Sequence, residues 1–371
     1  MVFSKLCAYC CGNVFESPVA TRVINCGPYA ILFNSMTQIL LFIVGLLLII
    51  WIFRDILLTT YSMEGGGEMT DFFMKKSWQF LLWISGNDGR HSFLSFSGMF
   101  MMIGLILLWS LGLWLGVFLL FASNPGSIIN SNTFVATNLW EKLHFSGYVL
   151  TTMGLGDYMP KNATWGIIST IFSFFGLLFI TLMVSYAVPV LSNIITKKQL
   201  SLFIQQLGTT PVELLIYLWD GKSFSGLKDI RQELQQRILT IAQSHKAYPI
   251  LHYFHSNRKD EALVITLCIV DEALTLLLER VPSDQWDEKE VLPLRKALDH
   301  YLETMKTTYG RSEEASHKAP APNLRPLAEA NIKLTENKQI SHKRKNLWSV
   351  LLQSQGWTWK EIYTDAKAAA E

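Results

Sequence analysis

The sequence predicts an all-α membrane protein with an all-α soluble region attached. Three observations carry this. Half of the 371 residues are hydrophobic and only 17% are charged, whereas a soluble chain carries about 25%. The mean hydropathy is +0.25. The charges are also segregated, with long uncharged stretches in the first half and a densely charged remainder after them. Low charge with 12% aromatic residues excludes a disordered chain and a basic nucleic-acid-binding tail, so no nucleic-acid partner is expected. The net charge of +2 selects no partner.

The first uncharged stretch lies between Arg22 and Arg54 and contains Ile39 to Phe53, ILLFIVGLLLIIWIF. With Met36–Gln38 before it and Ile56–Leu58 after it, the run reaches the ~20 residues that cross a hydrocarbon core roughly 30 Å thick. A transmembrane helix is expected over 37–60, after an N-terminal segment 1–36. That segment is too long to precede the apolar core of a cleavable signal, so it is expected to remain. A linker at 61–95 follows, in which Phe72 to Trp83 reads as an amphipathic interfacial helix with Trp78 and Trp83 at headgroup level. The second stretch, between His91 and Glu141, is apolar from Phe96 to Ala122. The third, between Lys161 and Lys197, is apolar from Trp165 to Ile195. A core helix of a soluble domain rarely runs this long without charge, so each is read as a span.

Residues 197–310 read as a soluble helical domain. Lys228 to His245 places Ile230, Leu234, Ile238 and Ile241 at helical spacing. Glu261 to Arg280 does the same with Leu263, Leu267, Val270, Leu274 and Leu278, and Ser283 to Tyr309 makes a third helix. No strand alternation or repeat is visible. Residues 311–344 read as a linker, opening on an Ala-, Pro- and charge-rich stretch. A tail at 345–371 carries a helix from Lys345 to Gln355, stopped by Gly356 and anchored by Trp357 and Trp359.

The chemistry lies between the second and third spans, in LWEKLHFSGYVLTTMGLGDYMP, Leu139 to Pro160. A semi-polar helix-length segment ends in Thr151-Thr152-Met153-Gly154-Leu155-Gly156-Asp157. Gly154 and Gly156 alternate with side-chain-bearing residues, and glycine adopts positive φ without steric cost. Alternating backbone conformations turn successive carbonyls to one side. A ring of such segments offers stacked oxygens that replace a cation's hydration shell. Thr152 adds a hydroxyl at the inner end, and Asp157 a carboxylate at the outer mouth that attracts cations. An ordinary extracellular turn is the alternative, but it would strand an uncharged run of 49 residues, 92–140.

This segment resembles the selectivity filter of pore-loop potassium channels, whose common form is TVGYG. TMGLGD is similar to filters of two-pore-domain and bacterial relatives. Helix, re-entrant helix, filter and helix match a pore module over 96–196, preceded here by an extra transmembrane helix. The resemblance implies that Thr152, Met153, Gly154, Leu155 and Gly156 bind K+ as the permeant ion, with Asp157 at the outer mouth. Because one loop cannot encircle an ion, it implies a homotetramer in a lipid bilayer. Met153 and Leu155 depart from the usual Val and Tyr. Leu155 cannot donate the filter tyrosine's hydrogen bond, and Phe145, Tyr148 and Val149 behind it suggest mostly apolar support. The third span becomes the pore-lining helix, with Gly176 and Pro189 as candidate hinge and gate.

No repeated Arg or Lys marks a voltage sensor, and no GxGxxG marks a nucleotide-binding regulator. A ligand or protein acting on 200–309 is left open. His252 and His255 have metal-ligand spacing, with His245 nearby and Asp271 and Glu272 as conceivable partners, but packed histidines are the preferred reading and no structural metal is expected. No nucleophile triad, P-loop or catalytic carboxylate pair is recognisable, so neither enzymatic activity nor a cofactor is expected. A filter entered from outside sets the C-terminus in the cytoplasm and the N-terminus outside, in a plasma membrane, or an inner membrane if the source is bacterial. Cys7, Cys10, Cys11 and Cys26 then face an oxidising side that permits disulfides, and Cys268 sits in a helix core. The rivals are a weakly selective cation channel, a four-module potassium-uptake subunit, for which the required repeat is absent, and a signal transducer with a non-conducting loop.

Overall fold

A computed structural model of the protein describes residues 28–62, 65–86, 88, 92–309, 320–335 and 342–364. Cys7, Cys10, Cys11 and Cys26 lie outside the described residues, as do most of the 1–36 segment and, in the 311–344 linker, residues 311–319 and 336–341. Among the described residues, three helices are long and apolar enough to cross a membrane.

Helix α1, Pro28–Tyr61, does not stop at Arg54–Asp55 but runs through it. The reason is that Asp55 is only 4% exposed. Its carboxylate accepts from Met69 N at 3.0 Å, Thr70 Oγ1 at 2.6 Å and Trp109 Nε1 at 2.9 Å. A carboxylate in an apolar helix is tolerable when protein donors replace water. These bonds join α1 to the start of α2, Glu68–Ile84, and to the middle of α3, Ser97–Ala122. Helix α1 packs along α3, with Ile49, Ile52 and Ile56 in the same buried cluster as Trp109, Leu113 and Val117.

Helix α2 is amphipathic, but not with the face expected. Trp78 is buried under protein, its Nε1 donating to Ser354 O at 2.9 Å and its ring against Tyr253. Phe72, Phe80 and Trp83 form the outward face, Trp83 being 73% exposed. Aromatics stand on both sides of this helix, so sequence spacing could not choose between them.

After α3 comes β1, Ile128–Asn130, then α4, Leu139–Leu150, and β2, Tyr158–Pro160. The strands are antiparallel, with Ile128 opposite Pro160 and Asn130 opposite Tyr158. Strands of three residues carry no alternation, and this pair escapes a periodicity reading. Helix α5, Ala163–Leu207, is continuous over 45 residues, through Pro189 and through the 196–197 boundary drawn from sequence. Its side chains change partners rather than its backbone breaking. Phe172, Met183, Tyr186 and Val190 belong to the buried cluster of the spans. Leu200, Ile204 and Leu207 belong to a second cluster formed with the helices that follow.

Those helices are α6 Pro211–Leu218, α7 Gly226–Ala247, α8 Leu263–Arg280, α9 Glu288–Tyr309, α10 Arg325–Glu329, α11 His342–Ser354 and α12 Lys360–Tyr363. Helix α8 is the axis of this part, with every residue from Leu263 to Leu277 buried. Its Asp271, fully buried, accepts from Arg344 Nε at 2.8 Å, Arg295 Nη1 at 3.2 Å and Trp348 Nε1 at 2.8 Å. The adjacent Glu272 pairs with Lys345 at 3.3 Å and Tyr363 Oη at 2.7 Å. Removing one partner of a buried pair costs about 3–5 kcal/mol, so these contacts hold the C-terminal helices in place. Gly356, at φ 72°, ends α11 as its sequence suggested.

Candidate functional site

The site begins with the start of α4. Asn138 accepts from Glu141 N at 3.0 Å, and Glu141 Oε2 accepts from Asn138 N at 2.7 Å, a reciprocal cap that fixes where the helix starts. Phe145, Ser146, Tyr148 and Val149 are buried on one side of α4. At its other end Thr151 N donates to Gly147 O at 3.0 Å and Met153 N to Tyr148 O at 3.0 Å. The chain then leaves the helix with φ of +58° at Thr152, +60° at Gly154 and +84° at Gly156. Every second residue is therefore left-handed. This is the alternation the two glycines suggested, and it extends to Thr152, a residue type that takes positive φ only against strain.

Residues 151–157 are all exposed in the single chain, Met153 at 65% and Leu155 at 47%. No atom would come within 4 Å of a Cβ added at Gly154 or Gly156. Within the single chain, backbone conformation rather than space favours glycine there. The Asp157 side chain is exposed at the end of this segment.

The C-terminal end of the segment is tied down more firmly than an apolar backing would allow. Phe145 and Val149 are buried apolar neighbours, but Tyr148 Oη donates to Tyr158 O at 2.7 Å. Ser131, just after β1, donates from Oγ to Gly156 O at 2.7 Å and stands 2.9 Å from Asp157 O. Its backbone N donates to Asp157 O at 3.0 Å. Ser131 was not singled out from sequence, because its role depends on strand pairing.

On α5, Gly176 faces the end of α4. A Cβ there would stand 1.8 Å from Leu150 O. This close approach requires glycine whether or not the helix bends. An apolar groove of about 510 Å³ lies beside it, lined by Trp114, Tyr148, Met153, Gly176, Phe179 and Ile180 among others. Along α5 an exposed stripe runs through Ile167, Ile171, Phe174, Leu177, Ile180, Val184, Val188, Leu191 and Ile195. Pro189 lies inside the continuous helix, its carbonyl accepting from Asn193 Nδ2 at 2.9 Å.

The lower part of α5 is bonded to the helical region in three places. Asn193 Oδ1 accepts from Ser244 Oγ at 2.6 Å. Lys197, buried, donates to Leu251 O at 3.1 Å and Phe254 O at 2.8 Å. Lys198 pairs with Glu261 at 2.8 Å. From sequence, Lys197 and Lys198 close the span and tether the helical region directly to it; their bonding partners are not legible there.

The histidines lie near this junction, packed. His245 Nδ1 bonds Ile241 O at 2.9 Å, and His252 and His255 both contact Gln355. Burial, and then the Lys197 ammonium, pushes His245 down to about 3 and holds His252 well below the ordinary imidazole range. Asp271 and Glu272 are engaged elsewhere by arginine and lysine. Among the described residues no group of three or more His, Cys, Asp or Glu is placed to hold a metal ion.

Comparison with known proteins places this geometry. Residues 104–193, from α3 through α4 to the Asn193 turn of α5, match the family model described as Ion channel. An uncharacterized membrane protein of Bacillus subtilis (strain 168), YdjJ, is 29% identical over 292 residues, covering 78% of this chain and 84% of the relative. No solved structure matches. The chain is thus a membrane protein carrying an ion-channel domain of the pore-loop type, set among helices.

Proposed function

We propose that this ion channel is a homotetrameric, potassium-selective channel whose filter is Thr152 to Gly156. The observation that carries the reading is the left-handed backbone at Thr152, Gly154 and Gly156, directly after a capped helix. Alternation sends neighbouring carbonyls toward one line, and four copies around an axis build successive oxygen cages for a dehydrated cation. Exposure of 151–157 and of the α5 stripe supports assembly, because a lone chain leaves the oxygens without opposite partners. The C-terminal end of α4 points its partial negative charge toward the inner end of the filter, which favours a cation there. Asp157 raises the local cation concentration at the mouth.

Gating is assigned to residues 200–309 acting through α5, with the constriction at Val188 to Ser192. The Asn193, Lys197 and Lys198 contacts support this, since any rearrangement of the helical region must move or break them. A ligand or protein shifts the pore only by its differential affinity for the two arrangements. The C-terminus is assigned to the cytoplasm of a plasma membrane and the N-terminus to the outside.

A weakly selective monovalent cation channel is the second reading, favoured by Leu155, which has no donor to brace the filter. Reversal potentials of the purified, reconstituted protein under bi-ionic K+ and Na+ decide between them. A strong preference for K+ is expected, and equal permeability refutes potassium selectivity. Absence of any single-channel current refutes the channel reading in favour of a non-conducting transducer.

A further inference from the structure

We infer that Ser131 is a positioning residue that holds the Gly156 carbonyl out of the ion path, so that the coordinating ladder ends at Leu155. The inference rests on the filter reading above and changes its outermost member.

The hydroxyl of Ser131 has one proton and two acceptors in reach, Gly156 O at 2.7 Å and Asp157 O at 2.9 Å. Asp157 O already accepts from Ser131 N at 3.0 Å. Both carbonyls are within reach of the one hydroxyl proton, and Gly156 O, the nearer, has among the described residues no donor but Ser131 Oγ. A carbonyl bonded laterally to a loop of its own chain is directed away from the line shared with the other copies. The next carbonyls outward are used as well, with Asp157 O bonded to Ser131 N and Tyr158 O to Tyr148 Oη.

The placement of Ser131 is built, not incidental. Asn130 pairs with Tyr158 across the two strands, which brings position 131 opposite 157. Asn130 Oδ1 then accepts from Asn132 N at 2.9 Å and Thr133 N at 3.1 Å, and Phe134 N donates to Asn130 O at 2.9 Å. This closes a tight turn that presents the Ser131 hydroxyl to the end of the filter. With the Leu155 side chain unable to donate, the restraint on the filter's outer end comes from this turn and from Tyr148 Oη, not from a side chain within the filter.

The test uses the full-length protein in bilayers, with internal barium as a blocking probe and external K+ varied. External K+ bound outside the blocking ion slows barium's outward exit, and the half-effective concentration reads the affinity of the outermost site. Ser131→Ala frees the Gly156 carbonyl to turn inward and add a ring of oxygens. A net hydrogen bond is worth about 1 kcal/mol, which is about fivefold in an equilibrium constant. The half-effective K+ concentration is expected to fall about fivefold in Ser131→Ala and to stay at the wild-type value in Ser131→Thr, which keeps the hydroxyl. A merely structural serine predicts lower tetramer yield with unchanged lock-in in the surviving channels, and that result overturns the inference. So does a Thr variant that behaves like Ala. A wild-type protein that conducts no K+ overturns the filter reading itself, and is distinguishable from both.

Discussion

Gly176→Ala tests whether this glycine serves the fold or the gate. The added Cβ would lie 1.8 Å from Leu150 O, and real Cβ contacts essentially never fall under 3.0 Å. Helices α4 and α5 must then separate by at least 1.2 Å at this point, the difference between those two distances. The obstacle is a backbone carbonyl, so no side-chain rotation relieves it. Overpacking of this kind costs about 1–3 kcal/mol per subunit. Leu150 is the last residue of α4 and stands two positions before Thr152, so the displacement passes into the filter. The expected result is a tetramer with a lower melting temperature in detergent and a K+ over Na+ permeability ratio reduced about tenfold or more. Thermal unfolding by intrinsic tryptophan fluorescence and bi-ionic reversal potentials measure the two. Wild-type selectivity and stability with only the open probability altered would refute the packing argument and assign Gly176 to bending.

Further outcomes follow from other parts of the molecule. Gly154→Ala and Gly156→Ala force an L residue to φ near +60° and +84°, which costs about 1–2 kcal/mol in each subunit; K+ flux into proteoliposomes should fall to background while the tetramer still assembles. Asp157→Asn should lower single-channel conductance more in 10 mM than in 500 mM salt, because screening removes the benefit of an exposed charge; equal loss at both would make Asp157 a structural residue. His245 and His252 titrate below their unfolded values, so the folded form keeps them neutral while the unfolded chain binds protons below pH ~6.5. Stability contributed at neutral pH should therefore be lost as pH falls from about 6.5, by up to about 1.4 kcal/mol per pH unit for each histidine, and melting curves from pH 7.5 to 5.5 should flatten in His245→Phe.

What could be read without coordinates follows from which forces act locally. A span announces itself because the bilayer demands an unbroken apolar length, and Trp165 to Ile195 satisfies that demand by composition alone. Gly154 and Gly156 were legible for a similar reason, since positive φ filters residue types position by position. Thr152 was not recognised as a third left-handed residue, because its conformation is imposed by Thr152 N bonding Val149 O and Met153 N bonding Tyr148 O, not by its own preference. The partners of Asp55 were not legible, because its donors come from Met69, Thr70 and Trp109, 14 to 54 residues away. Ser131 is the extreme case, where a common loop residue acquires a role only through a strand pair three residues long.

The same distinction explains why the α5 boundary was drawn where no break exists. Lys197 and Lys198 end an apolar run, and charge at the edge of a membrane ordinarily marks the end of the span. In the fold, Lys197 is buried and spends its donors on the carbonyls of Leu251 and Phe254. A lysine held in this way cannot act as a swivel. Helix α5 runs unbroken from the second buried cluster to the first, with Pro189 the point along it where a backbone hydrogen bond is missing, and on the proposed gating reading it carries motion between them. On that reading, motion at Leu200 to Leu207 is taken up between Gly176 and Asn193, where α5 is held by its close approach to Leu150 and its bond to Ser244. Val188 to Ser192 lies inside that interval, which is why movement of the helical region is assigned to widen or narrow the pore there and not at the filter.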